Sequence, residues 1–268
     1  MKSMFKIIKE QINSFYLILR LSFFEVKSQN NNNYLGRLWE IINPMIQIGI
    51  YWFVFGYGIR EGEPIGGIPY INWMLSGIVV WFFISPALLE SSKSIYTRLN
   101  FISKMSFPMS AIPSYVIMAK FYPHIILTGI IAIILQFGGF YVSIYYVQLI
   151  YFMFASLALL FAISLITSTL ATIVRDVQMI VQAVVRMLLY LTPLLWTPDR
   201  LPETIQKIMM ANPLYYIVEG YRASLLGTSW YMVEFYQYTI YFWALVLVLL
   251  VIGSFLHLKF RDHFVDYL

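Results

Sequence analysis

Residues 175–227 read RDVQMIVQAVVRMLLYLTPLLWTPDRLPETIQKIMMANPLYYIVEGYRASLLG, and they decide the fold of this chain. The stretch opens on the charged turn Arg175-Asp176, and up to Trp196 it then carries one charge, that of Arg186. A helix over 177–196 extends about 30 Å, which matches the hydrocarbon core of a bilayer. This part of the stretch is therefore predicted to cross a membrane.

The rest of the stretch is broken by prolines into two short segments, 201–211 and 214–225. Each segment is long enough for only about 16 to 18 Å of helix, half a bilayer. Backbone that ends at mid-depth is tolerated only where protein or a watery cavity surrounds it. We expect a helical hairpin that re-enters the membrane; the alternative is two helices lying flat on its outer surface.

The composition of the whole chain is that of an all-α integral membrane protein. Hydrophobic residues make up 60% and charged residues 12% of its 268 residues, and the mean hydropathy is +0.73. No polar segment is long enough to fold separately. We predict a single membrane domain over 1–268, made of an interfacial helix (1–40), a membrane core (41–258) and a short tail (259–268).

Uncharged runs separated by charged turns predict six membrane spans. The run 121–174 would extend about 80 Å as one helix, so the chain has to reverse, and Gly138-Gly139 is the natural place. Six spans bring both termini to one side, where most of the 18 lysines and arginines also fall, and this places the termini in the cytoplasm. The predicted spans are 41–59, 69–89, 114–137, 146–173, 177–196 and 235–256.

The amino-terminal segment shows helical periodicity, with lysines largely on the side opposite its apolar face. This pattern favours a helix lying in the membrane interface, with an ordinary amphipathic packing helix as the alternative. The apolar positions are Met4, Ile8, Ile12, Phe15, Leu19 and Phe23.

Several kinds of chemistry are disfavoured by the sequence. There is no phosphate-binding loop of the form G-x-x-x-x-G-K-[ST], so the chain is not expected to hydrolyse ATP or to hold a cofactor. Cysteine is absent, the three histidines lack zinc-ligand spacing, and no pair of carboxylates lies within a span, which disfavours metal binding, enzymatic catalysis and proton coupling. The net charge of +5 follows from the membrane topology and does not indicate nucleic-acid binding.

Arg186 is the residue that most strongly indicates a functional site within the membrane. It lies about 16 Å along the helix from Arg175, near mid-bilayer, where an arginine costs roughly 2.5 to 3.5 kcal/mol on insertion scales. Two interpretations stay open. Either Arg186 faces an aqueous path and attracts an anionic substrate, or it pairs with a carboxylate or carbonyls of a neighbouring helix.

Aromatic residues are the second signal, at 18% of the chain. Most are expected to form interface belts and to pack against lipid. The remainder are candidates for a path over which flat sugar faces slide. With Arg186, the candidate path residues are Tyr51, Trp52, Phe55, Tyr190 and Trp196.

Lys120 and His124 lie one turn apart at the start of the third predicted span. Snorkelling of Lys120 to the cytoplasmic surface is the favoured interpretation, and a role in substrate entry is the alternative.

The chain resembles the membrane permeases of ABC-2 type exporters, and within them the polysaccharide and teichoic-acid translocation permeases. No single motif suffices, but together they cover nearly the whole chain. The elements that carry the resemblance are the amphipathic start, Tyr34-Leu35-Gly36-Arg37-Leu38-Trp39, the Arg175-Asp176 turn, Leu191-Thr192-Pro193, Asn212-Pro213-Leu214 and Glu219-Gly220-Tyr221-Arg222.

The resemblance implies a homodimer in the cell membrane that binds two copies of a separate cytoplasmic ATPase, which holds the ATP and Mg. Spans one and five would line the path. The interfacial helix and the loop 93–110 would receive force from the ATPase, with Ile95, Arg98, Leu99, Ile102 and Lys104 as the coupling surface. The broken helices would close the path outside, with Pro213, Tyr215, Glu219 and Arg222 as the outer gate.

The expected substrate is a lipid-linked anionic glycan, with wall teichoic acid favoured and a Gram-positive source suggested by amino-acid usage. Alternatives are another polysaccharide such as O-antigen or capsule, and a drug or small lipid. A membrane-embedded enzyme acting on polyprenyl lipids is an alternative from another class, and it would need an intramembrane acid and base pair. A scaffolding membrane subunit would not need an arginine at mid-depth.

Overall fold

The computed structural model describes residues 2–28, 34–98 and 108–267, and every long element in these ranges is a helix. Two short 3₁₀ turns, Gly36–Leu38 and Ile144–Tyr146, lead into helices, and Arg261–Tyr267 continues the last one. The α-helices are α1 (Lys2–Asn13), α2 (Phe15–Ser28), α3 (Trp39–Tyr51), α4 (Tyr70–Ser92), α5 (Ala111–Phe137), α6 (Val147–Ile173), α7 (Asp176–Leu191), α8 (Glu203–Met210), α9 (Pro213–Leu226), α10 (Tyr231–Glu234) and α11 (Tyr236–Phe260).

In the described part of the chain, four helices are long and apolar enough to cross a membrane: α4, α5, α6 and α11. They correspond to predicted spans two, three, four and six, which are confirmed as helices of the length and hydropathy that a span needs. α3 and α7 have only 13 and 16 residues. α7 ends at Leu191 rather than at Trp196, because Thr192 is extended and Pro193 follows. The count of six spans therefore stays a prediction.

α3 continues into a wider π helix, Trp52–Ile59, in which the amide of Arg60 bonds to the carbonyl of Phe55 at 3.2 Å. Gly56 faces the start of α4, and a Cβ there would lie 2.9 Å from the ring of Tyr70. The glycine therefore lets this segment approach α4, while α3 itself buries only Ile48.

α4 is the centre of the bundle, in contact with α5, α6, α7 and α9. Its sequence is apolar on all sides, as expected of a helix surrounded by others. Ile78, Val79 and Phe83 are at most 1% exposed. The partly exposed residues of α4, among them Phe82, Ser85 and Leu89, face cavities between α4 and its neighbours.

α9 is also buried, and it contacts α4 and α6 at positions well inside these helices rather than at their first residues. A Cβ on Gly77, about 10 Å along α4, would meet Val218, and a Cβ on Gly220 would lie 2.1 Å from the ring of Phe152, about 8 Å along α6. α8 differs, since Met209 is its only buried residue. The two halves of the expected hairpin therefore differ in burial, since α9 is enclosed by other helices and α8 is largely exposed, and re-entry into the membrane stays a prediction.

The amino-terminal segment forms two helices rather than one, interrupted at Ser14, although backbone hydrogen bonds run through the break. α2 packs on α5, and α1 packs on α11. Ile7 and Ile18 are buried, while Phe15 and Phe23 are more than half exposed. The segment therefore has a packing edge and an exposed apolar edge, which is compatible with both interpretations of its pattern.

Both termini lie at the same end of the bundle, which we call the terminal end. Glu10 pairs with Arg261 at 2.8 Å, and Ser110 donates to the other carboxylate oxygen of Glu10 at 2.7 Å. Burial raises the pKa of Glu10, but these two partners together lower it more, so its pKa lies below the ordinary value. The side of the membrane on which this end lies stays a prediction.

Candidate substrate path

In the part of the chain that the structure describes, three cavities follow α3 from the terminal end to the opposite end of the bundle. The large cavity, about 750 Å³, lies between α3, α4 and α5. Its wall combines aromatic rings with amide, hydroxyl and charged side chains. The lining residues are Trp39, Glu40, Asn43, Pro44, Gln47, Trp81, Phe82, Ser85, Pro86, Leu89, Lys120, Pro123, His124 and Leu127.

The arginine cavity, about 360 Å³, lies on the other side of α3, between α3, α4 and α7. Arg186 lines it together with Tyr51, Gln178 and Gln182. Gln47, Trp81, Ser85 and Leu89 line both this cavity and the large one, so the two are neighbours across a shared wall. Arg186 thus lies at the wall of a partly polar cavity, and whether it faces a substrate path stays a prediction.

No partner of Arg186 is found among the residues that the structure describes, by hydrogen bond or ion pair. Glu90 lines the same cavity but is engaged by Lys93 at 2.9 Å. Gln178 is likewise engaged, since its amide donates to the carbonyl of Leu89 at 3.2 Å. Within one chain, Arg186 is therefore an exposed residue at the wall of the cavity, without a carboxylate partner among the described residues.

The rim cavity, about 510 Å³, lies at the opposite end, between the π helix and the segment after α7. Phe55 and Trp196, two of the predicted path residues, line it. Arg60 also lines it, and donates to the hydroxyl of Thr197 at 3.2 Å. This contact joins the end of the first predicted span to the end of the fifth.

The structure brings four of the six predicted path residues to cavity walls: Tyr51, Phe55, Arg186 and Trp196. Trp52 and Tyr190 do not line the three cavities and are 40% and 61% exposed. The indole of Trp196 donates to the carbonyl of Tyr190 at 2.9 Å. In a single chain, Trp52 and Tyr190 face the outside of the bundle.

Arg222, a predicted gate residue, is 5% exposed and fully engaged. It donates to the carbonyls of Trp73 at 3.3 Å and Pro193 at 2.8 Å, and it pairs with Glu219. Its guanidinium also lies 3.7 Å from the centre of the Trp73 ring. Arg222 therefore ties α9 to the start of α4 and to the segment after α7.

The other predicted gate residues lie on the same helix as Arg222. Pro213 is the first residue of α9, where Asn212 caps the helix by accepting from the amide of Leu214 at 3.0 Å. Tyr215 and Glu219 are half-buried on the following turns. All four predicted gate residues thus lie on one element.

A model of the ABC-2 type transporter family matches residues 16–226. The chain belongs to this family. It is 26% identical over 249 residues to an O-antigen export system permease protein RfbA of Klebsiella pneumoniae, covering 92% of this chain and 93% of the relative. It is 22% identical to the protein of the same name from Myxococcus xanthus, covering 82% and 84% of the two chains. The inner membrane transport permease YadH of Escherichia coli is 24% identical, over 72% of this chain and 78% of its own.

In this ABC-2 permease, the described part of the predicted coupling surface is anchored rather than free. Ile95 is fully buried, in a cluster with Ile18 and Ile112. Arg98 pairs with Glu25 of α2 at 2.6 Å. The segment that follows α4 is therefore fixed to α2. Leu99, Ile102 and Lys104 lie outside the described residues.

Sequence reasoning missed the polar contacts that position α9 within the permease. The hydroxyl of Tyr221 lies 2.9 Å from Nε2 of His124, thirteen residues from either end of α5. The hydroxyl of Tyr216 contacts Tyr151 at 3.0 Å and Thr239 at 2.8 Å. The available signal was the run of tyrosines in 214–225, because a buried tyrosine hydroxyl needs a partner.

His124 also corrects the placement of the Lys120–His124 pair. α5 begins at Ala111, three residues earlier than predicted, so His124 lies about 20 Å from the terminal end. Both side chains line the large cavity, and His124 is 3% exposed. The prediction that His124 lies at the start of the third span was therefore wrong, because it lies at the middle of α5.

Proposed function

We propose that this chain is the membrane permease subunit of an ATP-driven exporter that moves a lipid-linked polysaccharide across the membrane. The observation that carries the proposal is the row of three cavities along α3, lined by amides, aromatic rings and the unpartnered Arg186. Polar and charged groups at membrane depth are costly and mark substrate paths. The similarity to O-antigen export permeases over nine-tenths of the chain gives that path a substrate class.

The polymer is proposed to be a lipid-linked glycan of the O-antigen kind, because three of the relatives carry that name. Wall teichoic acid, the substrate favoured by the sequence, is the second candidate. The observation in its favour is Arg186, which lines a cavity without a carboxylate partner in the described residues and whose charge suits an anionic polymer.

The membrane-crossing count proposed is six. α3 and the π helix together extend about 30 Å, and α7 with the segment up to Trp196 extends about as far. The burial of α9 below the ends of α4 and α6 supports its insertion from the outer side, with α8 remaining at the surface. Both termini are then cytoplasmic, as the distribution of basic residues indicates.

The working complex is proposed to be two copies of this chain and two copies of a cytoplasmic ATPase. Support for a second copy comes from the exposed apolar face of the two path-lining helices, which includes Ile46 and Phe53 of the α3 segment and Ile180 and Met187 of α7. Support for a separate ATPase comes from the absence of a phosphate-binding loop.

The proposal is tested by deleting the gene in its own host and analysing the surface polysaccharide. We expect the surface polymer to be lost and its lipid-linked precursor to accumulate inside the cell, with both reversed by the wild-type gene. Phosphate analysis of the accumulated precursor separates a teichoic-acid polymer from a neutral glycan. An unchanged surface polymer with no accumulated precursor would contradict the proposed function.

A further inference from the structure

Two rows of exposed side chains run along α1 and α2, on the side of these helices that faces away from the bundle. Backbone hydrogen bonds continue through Ser14, so both helices follow one helical period. Residues seven or eleven positions apart then lie on the same side, because these spacings are close to two and three turns. The buried residues Ile7 and Ile18 are eleven apart and mark the side that packs on the bundle.

The first row, which we call the apolar row, consists of large side chains. Its members follow each other at spacings of seven, four and seven residues, and they are 63 to 77% exposed. Large apolar side chains exposed in a continuous row mark a surface that contacts lipid or protein. The apolar row is Phe5, Ile12, Tyr16 and Phe23.

The second row, the cationic row, adjoins the first, since Lys9 lies one turn from both Phe5 and Ile12. Its members are exposed and follow each other at spacings of seven, eleven and seven residues, with the exposed Lys6 beside them. In the ranges that the structure describes, none of these five cations forms an ion pair. The cationic row is Lys2, Lys9, Arg20 and Lys27.

The two acidic residues of α1 and α2 are turned towards the bundle and engaged there. Glu10 pairs with Arg261 at 2.8 Å, and Glu25 pairs with Arg98 at 2.6 Å. Asp262, which follows Arg261 and is exposed, lies 3.5 Å from the same guanidinium. The outward side of α1 and α2 therefore carries positive charge alone.

A lipid surface of negative charge fits both rows at once. A helix that lies in the membrane interface buries apolar side chains at the boundary of the acyl chains and keeps its basic residues among the headgroups. Lysine and arginine stems are long enough to lie along apolar surface while the charge stays in the polar layer. Clusters of four to eight such cations beside a membrane are typical of binding to anionic lipids.

We propose that the outward side of α1 and α2 binds anionic phospholipid headgroups of the leaflet at the terminal end, with the apolar row entering the acyl region beneath them. The proposal goes beyond the proposed function, because it concerns the lipid that surrounds the permease and holds for any exported polymer. It also explains why the segment keeps five cations on its outward side while both of its carboxylates are paired inside.

The test uses the full-length protein in phosphatidylcholine nanodiscs that contain phosphatidylglycerol with a diazirine on its headgroup. After irradiation, we expect labelled peptides within residues 2–28. Unlabelled phosphatidylglycerol should compete for this labelling. Phosphatidylethanolamine, which has no net charge, and soluble glycerol 3-phosphate, which carries the phosphate without a lipid, should not compete. Absence of label from residues 2–28, or equal competition by either of these two compounds, would overturn the proposal.

A variant of the cationic row gives the size of the effect. Lys9→Gln with Arg20→Gln should raise the mole fraction of the probe that gives half-maximal labelling by about ten- to thirtyfold, as expected for two cations lost at a charged surface. The matched control, Arg175→Gln with Lys259→Gln, removes two exposed cations elsewhere at the terminal end and should label like the wild type. Equal labelling of the two double variants would contradict the proposal.

Two further outcomes are distinguishable. If the Lys9→Gln, Arg20→Gln protein does not fold, the competition series on the wild type decides the question alone. If it folds and labels like the wild type but no longer supports export, the cationic row serves a protein partner and the lipid assignment is wrong. Failure of the proposed function shows separately, as unchanged surface polysaccharide in the deletion strain.

Discussion

Arg186 is the single residue on which the proposed function depends most. Its cost at membrane depth was apparent from the sequence, and the structure places it at the wall of a polar cavity without a carboxylate partner in the described residues. Whether it meets the substrate stays a prediction. Glu90, a carboxylate that lines the same cavity, is engaged by Lys93.

Arg186→Gln should therefore reduce export of the polymer while leaving the folded protein and its assembly unchanged, because the charge that it removes makes no hydrogen bond or ion pair within the described part of the chain. Export is measured as surface polysaccharide in the complemented deletion strain, and folding as the melting temperature of the purified protein. Arg186→Lys keeps the charge and should retain most of the export. A drop in melting temperature that matches the loss of export would instead point to a structural role.

Among the secondary-structure elements, α9 shows that the bounds of a helix can be predicted from sequence more readily than its burial. Its bounds were predicted closely, since Asn212 and Pro213 start it and Gly227 ends it in the left-handed conformation, φ 68°. Its burial was not predictable in detail, because it depends on contacts with Gly77 and Phe152, which are remote in sequence. The difference in burial between α8 and α9 was not predictable for the same reason, because it also depends on contacts with residues remote in sequence.

Gly220→Ala should destabilise the protein by about 1 to 3 kcal/mol, because the added methyl would overlap the ring of Phe152. Thermal unfolding in detergent measures the change. Gly129→Ala is the matched control in α5, where a Cβ meets nothing within 4 Å. Combining Gly220→Ala with Phe152→Leu should recover part of the loss; equal stability of Gly220→Ala and Gly129→Ala would show that α9 does not pack as described.

The link between α2 and the segment after α4 makes a second prediction at this scale. If force from the ATPase passes through this segment, Arg98→Glu should uncouple ATP hydrolysis from export, because it replaces the Arg98–Glu25 pair with two like charges. The reversed pair, Arg98→Glu with Glu25→Arg, should restore coupling in reconstituted vesicles. Normal coupling in the single variant would remove this contact from the route of force.

For the whole molecule, the uncharged runs predicted the four long spans and the reversal at Gly138-Gly139, because length and charge alone decide them. The cavities could not be predicted from the sequence. They arise because α3 packs loosely, burying only Ile48, and because three prolines distant in sequence face the same space. Among the residues that line the cavities, Tyr51 and Arg186 were singled out from the sequence because an aromatic ring or a charge within a predicted span is conspicuous. Asn43 and Gln47 have neither feature and were not singled out.

The six-span topology is tested with single cysteines in this naturally cysteine-free chain. Glu61→Cys and Asp199→Cys should react with a membrane-impermeant maleimide in intact cells. Asp262→Cys, at the terminal end, should react only after permeabilisation. Labelling of Asp262→Cys in intact cells would place the termini outside and contradict the proposed direction of transport.

The central claim, that the substrate moves along the cavities beside α3, is tested most directly by blocking them. Gln47 lines both the large cavity and the arginine cavity, so a bulky thiol reagent on Gln47→Cys should obstruct the path. The measurement is export of surface polysaccharide before and after labelling, with Gln237→Cys as the control at an exposed site. We predict that labelling stops export through Gln47→Cys and leaves Gln237→Cys unaffected, whereas full export through labelled Gln47→Cys would contradict the claim.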